Sequence, residues 1–367
     1  MRTRDYYLKR EATLADSDTT ILDINVKDPM SSMTIQLEAT NGATSCLDHE
    51  LADDITSIEI VDGSNVLWSL DMAAARGLNF FENKRMPFEV CSEGAADVQQ
   101  VSCQINFGRY MNDLNYYFDA GRFNNPQLRI THALTISVTD GFHAGTGKLT
   151  VRARLIEEGT TGYKGFLSAK EVISYTSGTS GDREVDLPKN YPYRMMLLKA
   201  LLTTYTHAEV LSKHKLSIDA DAVVPFNDYT EDLAEANIVD FGYANQVKEV
   251  LSADGGTCLM DLYNIRKADV RTKTTRFLPL VVGVDAEQLT LDLYDIGTAT
   301  DITPETVAGS LEVDVQGSEP YSLICVPFGR PDEPNDWLKA NHYGDIKLFS
   351  TQAAAGACAV ILQQLHE

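Results

Sequence analysis

One pattern constrains this 367-residue chain more than any other: the same plan of short strands runs through it twice, and the second copy carries extra residues. Ile105-Asn106-Phe107-Gly108-Arg109 is echoed by Val326-Pro327-Phe328-Gly329-Arg330, 221 residues later. Ile24-Asn25-Val26 followed by Met33-Thr34-Ile35-Gln36-Leu37 lines up with Val185-Asp186-Leu187 followed by Arg194-Met195-Met196-Leu197-Leu198, at an offset of 161. Ile58-Glu59-Ile60 with Val66-Leu67 answers to Leu216-Ser217-Ile218 with Val223-Val224, about 158 residues on. Short matches arise by chance, because alternating apolar patterns in any all-β chain can be slid into agreement. Three in the same order, each in a strand-like context, carry more weight. The offset is steady and then jumps by 63, which predicts a duplication with an insertion between about Asp228 and Val326.

Strand signals dominate both halves. Thr19 to Val26, Met33 to Ala39, Ser57 to Val61, Val101 to Phe107, Leu128 to Val138 and Lys148 to Ile156 alternate apolar with polar residues and are rich in Val, Ile and Thr. The second half continues in the same style, from Glu184 to Leu187 through to Ala357 to Gln363. Helix is confined to short pieces: Leu70 to Gly77, ending on a glycine, Thr230 to Ala236, and a stretch near Asp336 to Ala340. No repeat of 40 to 50 residues recurs four times, so a propeller is excluded, and two eight-stranded sandwiches fit best. The glycines at 159, 162 and 165 mark the join. The expected organisation is an N-terminal basic arm over 1–14, a first sandwich over 15–160, and a second over 168–367 with its insertion within about 229–315.

With 44% apolar and 23% charged residues, the chain can fill such cores. No run approaches the roughly 20 apolar residues that span a bilayer. No secretory pattern follows Met1, and six cysteines are scattered singly, which predicts folding in a cytoplasm with reduced, buried thiols. A net charge of −22 argues against nucleic acid as a ligand for most of the surface. The local exception is Arg2, Arg4, Lys9 and Arg10, interleaved with Tyr6, Tyr7 and Leu8. Such an arm would suit an anionic membrane or genome, and equally a frayed, solvated terminus.

Catalytic chemistry finds no foothold. The seven histidines form no zinc-ligand spacing. Asp48-His49-Glu50 puts neighbours on opposite faces of an extended chain. Asp219, Asp221, Asp228 and Glu231 hint at calcium, but Val224 stands where the loop needs glycine and Thr230 where it needs a bidentate carboxylate. Ser177-Gly178-Thr179-Ser180-Gly181 misses the nucleophile-elbow pattern, and Gly145-Thr146-Gly147 reads as a hairpin. No catalytic, metal or cofactor-binding residue is expected.

Three features together resemble the double jelly-roll major capsid proteins of tailless icosahedral viruses, bacteriophage-like members in particular. They are the tandem sandwich with a compact join, the loop-to-strand segment Phe123-Asn124-Asn125-Pro126-Gln127-Leu128-Arg129-Ile130, and the closing Gly344-Asp345-Ile346-Lys347-Leu348 with the small-residue run Ala353 to Ala359. The resemblance implies two tandem eight-stranded jelly rolls and a homotrimer whose six sandwiches form a pseudo-hexameric capsomer. It also implies neighbouring capsomers, penton and minor capsid proteins as partners, and a place in the virion after assembly in the host cytoplasm. The arm at Arg2, Arg4, Lys9 and Arg10 would then face inward, toward an internal membrane or the genome. Two other classes stay open at this point. One is a viral spike or carbohydrate-binding sandwich, which clustered exposed tryptophans would favour although only Trp68 and Trp337 exist. The other is a β-sandwich polysaccharide-active enzyme with paired carboxylates.

Overall fold

The computed structural model describes residues 2–47, 49–160, 162–253, 255–272, 277–296, 303–305 and 308–367. The first half runs β1 (Arg2–Thr13), β2 (Ser17–Asp23), β3 (Met30–Thr40), β4 (Ile55–Asp62), β5 (Asn65–Leu70), α1 (Met72–Asn83), β6 (Glu89–Val90), β7 (Val98–Asn106), β8 (Pro126–Ala133) and β9 (Lys148–Glu158). The second runs β10 (Phe166–Thr176), β11 (Asp182–Asp186), β12 (Tyr193–Leu201), α2 (His207–Val210), β13 (Leu211–Ile218), β14 (Val223–Tyr229) and α3 (Thr230–Phe241). Seven further strands follow: β15 (Ala244–Ser252), β16 (Gly256–Leu259), β17 (Leu262–Thr272), β18 (Phe277–Asp285), β19 (Gln288–Asp295), β20 (Thr303–Pro304) and β21 (Gly309–Pro320). The chain then returns as β22 (Leu323–Pro327), β23 (Ile346–Gln352) and β24 (Ala357–His366).

Strand order repeats between the halves. The path β1-β9-β3-β7 is answered by β10-β24-β12-β22, and β2-β8-β4-β5 by β11-β23-β13-β14. In the first half, Ile35 and Leu37 on β3 and Leu149 and Val151 on β9 meet Ile58 and Ile60 on β4 and Leu128 and Ile130 on β8 in one apolar core. Met196, Leu198, Leu216, Ile218, Leu348, Val360 and Leu362 build the corresponding core of the second. This is the two-sandwich arrangement that the alternation predicts, in the jelly-roll order that the resemblance implies. The likeness extends to single side chains. Asn79 on α1 brackets Gln104 on β7, its Oδ1 accepting the Gln104 amide at 2.7 Å while its Nδ2 donates to the Gln104 carbonyl. Asn237 on α3 does the same to Cys325 on β22, at 2.8 and 2.7 Å.

The halves are fused through a strand junction. β5 runs parallel to β10, with Ser69 opposite Lys170, so one sheet of the first sandwich continues into the other sheet of the second as eight strands. The Ser168 hydroxyl and the Lys170 ammonium donate to the carbonyls of Leu67 and Val66. As a result β12 and β24 are buried on both faces. Met196 and Leu362 turn to their own core, whereas Met195, Leu197 and Ile361 turn to the first half.

Helix α1 departs from expectation. Asp71 caps it, accepting from the Ala74 amide at 2.5 Å, and it continues past Gly77 to Asn83. Gly77 does not terminate the helix, because its job is close approach: a Cβ there would collide with the Leu323 side chain on β22. The strand expected over Leu128 to Val138 stops at Ala133, and the helix expected near Asp336 to Ala340 is only a 3-10 turn, Ala340–His342. The seven extra strands make a small sandwich of their own, β15-β21-β17 over β16-β19-β18 with β20 paired to β19, filled by Leu289, Leu291, Leu293, Leu311, Val313 and Val315. It is tied to the first half where the Glu93 amide donates to the Glu249 carbonyl at 2.8 Å and the Glu249 amide to the Cys91 carbonyl at 3.0 Å.

Candidate assembly surfaces

The residue types that usually carry chemistry are spent on structure. Among the described residues no group of three or more His, Cys, Asp or Glu could hold a metal ion. All six cysteines are buried, and burial pushes the thiols of Cys46 and Cys103 up to about 12, so they are not nucleophiles. Asp219 accepts from the Gly344 and Asp345 amides at 2.8 and 2.9 Å, and Asp221 pairs with Lys215 at 2.7 Å. Ser177 donates to the Ala354 carbonyl at 2.6 Å, closing a turn. Asp48 lies outside the described residues, while Glu50 pairs with Lys248 at 2.5 Å. Trp68 and Trp337 are each 2% exposed, so neither indole offers its face to a ligand.

What the duplicated Phe-Gly-Arg segments do is line one cleft of about 560 Å³ where the halves meet, together with the ends of α1 and α3. Arg109 holds Asp113 at 2.6 Å and Arg330 holds Asp336 at 2.6 Å, the same contact made twice. Gly329, at φ +80°, has no room for a side chain against Asp336. Arg194 crosses the seam, donating to the carbonyls of Pro331 and Arg109 at 3.1 Å each. Its Nη1 lies 3.6 Å from the buried Glu82, whose carboxyl burial pushes up. These contacts join the two sandwiches along one seam.

Between the inserted sandwich and the first half lies a second polar seam. Lys248, 1% exposed, sits 2.5 Å from Glu50 and 3.2 Å from Glu93. Burial opposes its charge, yet these carboxylates hold the ammonium well above its ordinary value. Arg76, fully buried, bonds Glu89, Tyr321 and the Ser102 carbonyl. Asp54 is close by in sequence but differs in character. Its Oδ1 accepts from Thr135, while its Oδ2 is buried without a partner, and burial pushes the carboxyl up to about 7. Because its folded value exceeds the unfolded one, its ionisation destabilises the fold fully above pH 7 and hardly at all below pH 4. Asp54→Asn is therefore expected to exceed the parent by about 2 kcal/mol at pH 8 and to match it near pH 4, read as urea midpoints. His207, pushed down to about 4 by burial, titrates with the opposite sign, but it acts equally on parent and variant.

The four basic residues at the start are part of the sheet. β1 lies antiparallel to β9, with Tyr6 opposite Ala153 and Lys9 opposite Val151, so this segment is neither frayed nor detached. Arg2 pairs with Glu157 at 2.7 Å, Arg4 with Glu157 at 2.7 Å and Asp28 at 2.9 Å, and Arg10 stands over the Tyr7 ring at 5.2 Å. β1 ends its sheet, and β14 ends another. An uncovered sheet edge is a template for association. Val223, Val224 and Tyr229 on β14 and Tyr6 and Tyr7 on β1 are exposed beside these edges. No sequence signal short of the strand register marks either as an edge.

No family model matches the sequence, and no curated protein matches it. By structure the chain is similar to the major capsid protein of Sulfolobus turreted icosahedral virus, with a TM-score of 0.60 at 10% sequence identity, covering 100% of this chain and 96% of that one. It is similar to the major capsid protein of bacteriophage PM2, with a TM-score of 0.55 at 7% identity and coverage of 100% and 98%. A chain of the PBCV-1 virus capsid gives 0.56 at 9% identity, covering 99% and 93%. At such identities the likeness is one of fold, and the chain has the double jelly-roll fold of these capsid proteins.

Proposed function

We propose that this chain is a major capsid protein of an icosahedral virus, a structural subunit without a catalytic role. The observation that carries the reading is end-to-end agreement: the whole chain, both sandwiches and their junction, matches nearly the whole of several capsid subunits. Three copies form a trimer, and its six sandwiches make a pseudo-hexameric capsomer. Capsomers meet one another and the penton and minor capsid proteins in the virion, after assembly in the host cytoplasm. Fused sandwiches, polar seams locked by buried ion pairs and an acidic surface that stays soluble before assembly all suit that role. Electron microscopy of the concentrated protein tests it. Particles with six-lobed outlines, passing to closed shells or flat arrays, are expected; a uniform field of single two-lobed molecules at every concentration would overturn it.

A further inference from the structure

The junction that fuses the two halves has an open counterpart on the outside of the molecule. We propose that a second copy of this chain completes it: β14 of one copy runs parallel to β1 of the next, and α3 of the first copy seats on the face of the neighbour's β9-β3-β7 sheet. This inference rests on the oligomeric reading above and adds which surfaces meet.

Inside the chain, β5 joins β10. By strand order, the equivalents of β5 and β10 are β14 and β1, and among the described residues each of these ends its sheet without a further partner strand. The register extends the match to one side chain. Lys170 stands opposite Leu362, which stands opposite Met196. Lys9 stands opposite Val151, which stands opposite Ile35. Ile35 and Met196 hold the same position in the repeat, so Lys9 takes the place of Lys170, whose ammonium binds a β5 carbonyl across the internal junction. On β14 the echo of Val66-Leu67 places the equivalent carbonyls at Val223 and Val224. Pro225 is no obstacle, because β5 serves the lysine and serine side chains as an acceptor and proline keeps its carbonyl.

Burial and charge point the same way. Helix α1 is buried from Met72 to Phe81, wedged between the halves. Its equivalent α3 buries only its inner face and exposes Glu231, Asp232, Glu235 and Val239. Val239 is 85% exposed, where its counterpart Phe81 is 2% exposed. The surface that would receive α3 is a groove of about 670 Å³ along β3 and β7, with Arg85, Arg152 and an exposed Phe88. Basic β1 thus meets β14 and the acidic first turns of α3, with Glu231, Asp232 and Glu235, giving attraction where copies with a net charge of −22 would otherwise repel. The internal junction is buried and covalently continuous. The external one is charged, as suits a partner that must first be soluble alone.

Two sets of variants test the interface. Lys9→Cys combined in turn with Val223→Cys or Val224→Cys should yield covalent dimers and trimers on a non-reducing gel for at least one pair, the native cysteines being buried. Lys9→Glu with Arg10→Glu should reduce the oligomer to monomer, and adding Glu231→Lys with Asp232→Lys should restore it, with circular dichroism confirming that each variant is folded. An oligomer that survives the charge reversal and never crosslinks would overturn this interface while leaving the oligomeric reading intact. A parent protein that is monomeric throughout would overturn both.

Discussion

Lys248→Met is expected to lose about 3–5 kcal/mol of folding stability, the cost of leaving Glu50 and Glu93 charged and buried without their cation. The lysine stem is buried between β15 and the first sandwich, and methionine keeps that volume, so the loss isolates the charge. Restoring neutrality should recover much of it: Glu50→Gln and Glu93→Gln in the Lys248→Met background should move the urea midpoint back toward the parent. Equal midpoints for the parent and Lys248→Met would mean that the seam is hydrated and that the inserted sandwich is held by its backbone contacts alone. The pair is more than a local device. It is one of the contacts that fix the insertion to the first half, so its loss should also raise proteolysis within the β15–β21 segment before global unfolding.

A comparable loss, about 3–5 kcal/mol, is expected for Phe118→Ala. Phe118 is fully buried, stacked on Phe123 at 4.9 Å and packed against Phe107 at 5.0 Å and Phe166 at 5.3 Å. Phe123 belongs to the loop leading into β8, and Phe166 opens β10, so this aromatic group pins the join between the sandwiches. Its backbone also bridges to Met30, at 2.7 and 2.9 Å. Phe118→Leu, which keeps most of the volume, should cost less than about 1.5 kcal/mol. If the alanine variant matched the leucine variant in urea, the aromatic packing would not be what fixes the join.

The tandem plan was legible because its two periods are simple. Strands such as β3 alternate buried and half-buried residues, and the echoes at offsets of about 158, 161 and 221 fall on structurally equivalent elements: β4 with β13, β3 with β12, and the Phe-Gly-Arg turns after β7 and β22. Asn79 and Asn237 stand at the same 158 offset and could have been found by extending it. The edges were not legible. β1 reads Arg-Thr-Arg-Asp-Tyr-Tyr-Leu-Lys-Arg-Glu-Ala-Thr and exposes most of its side chains, so no alternation betrays a strand. β10 lay hidden in the glycine-marked join, because its pairing with β24 and β5 is long-range and leaves no local pattern. Gly77 misled in the other direction: a glycine placed for contact with Leu323 looks, in sequence, like a helix stop. The surface that matters for assembly depends on which edges stay open, and only the full strand order reveals that.

Self-assembly would show at once in the mass of the purified protein in solution. Light scattering across a hundredfold dilution should give a stable trimer of about 121 kDa from the 40.5 kDa chain, resistant to dilution and lost at high salt if charge drives the contact between copies. A monomer of 40.5 kDa at every concentration would rule out self-assembly of this chain.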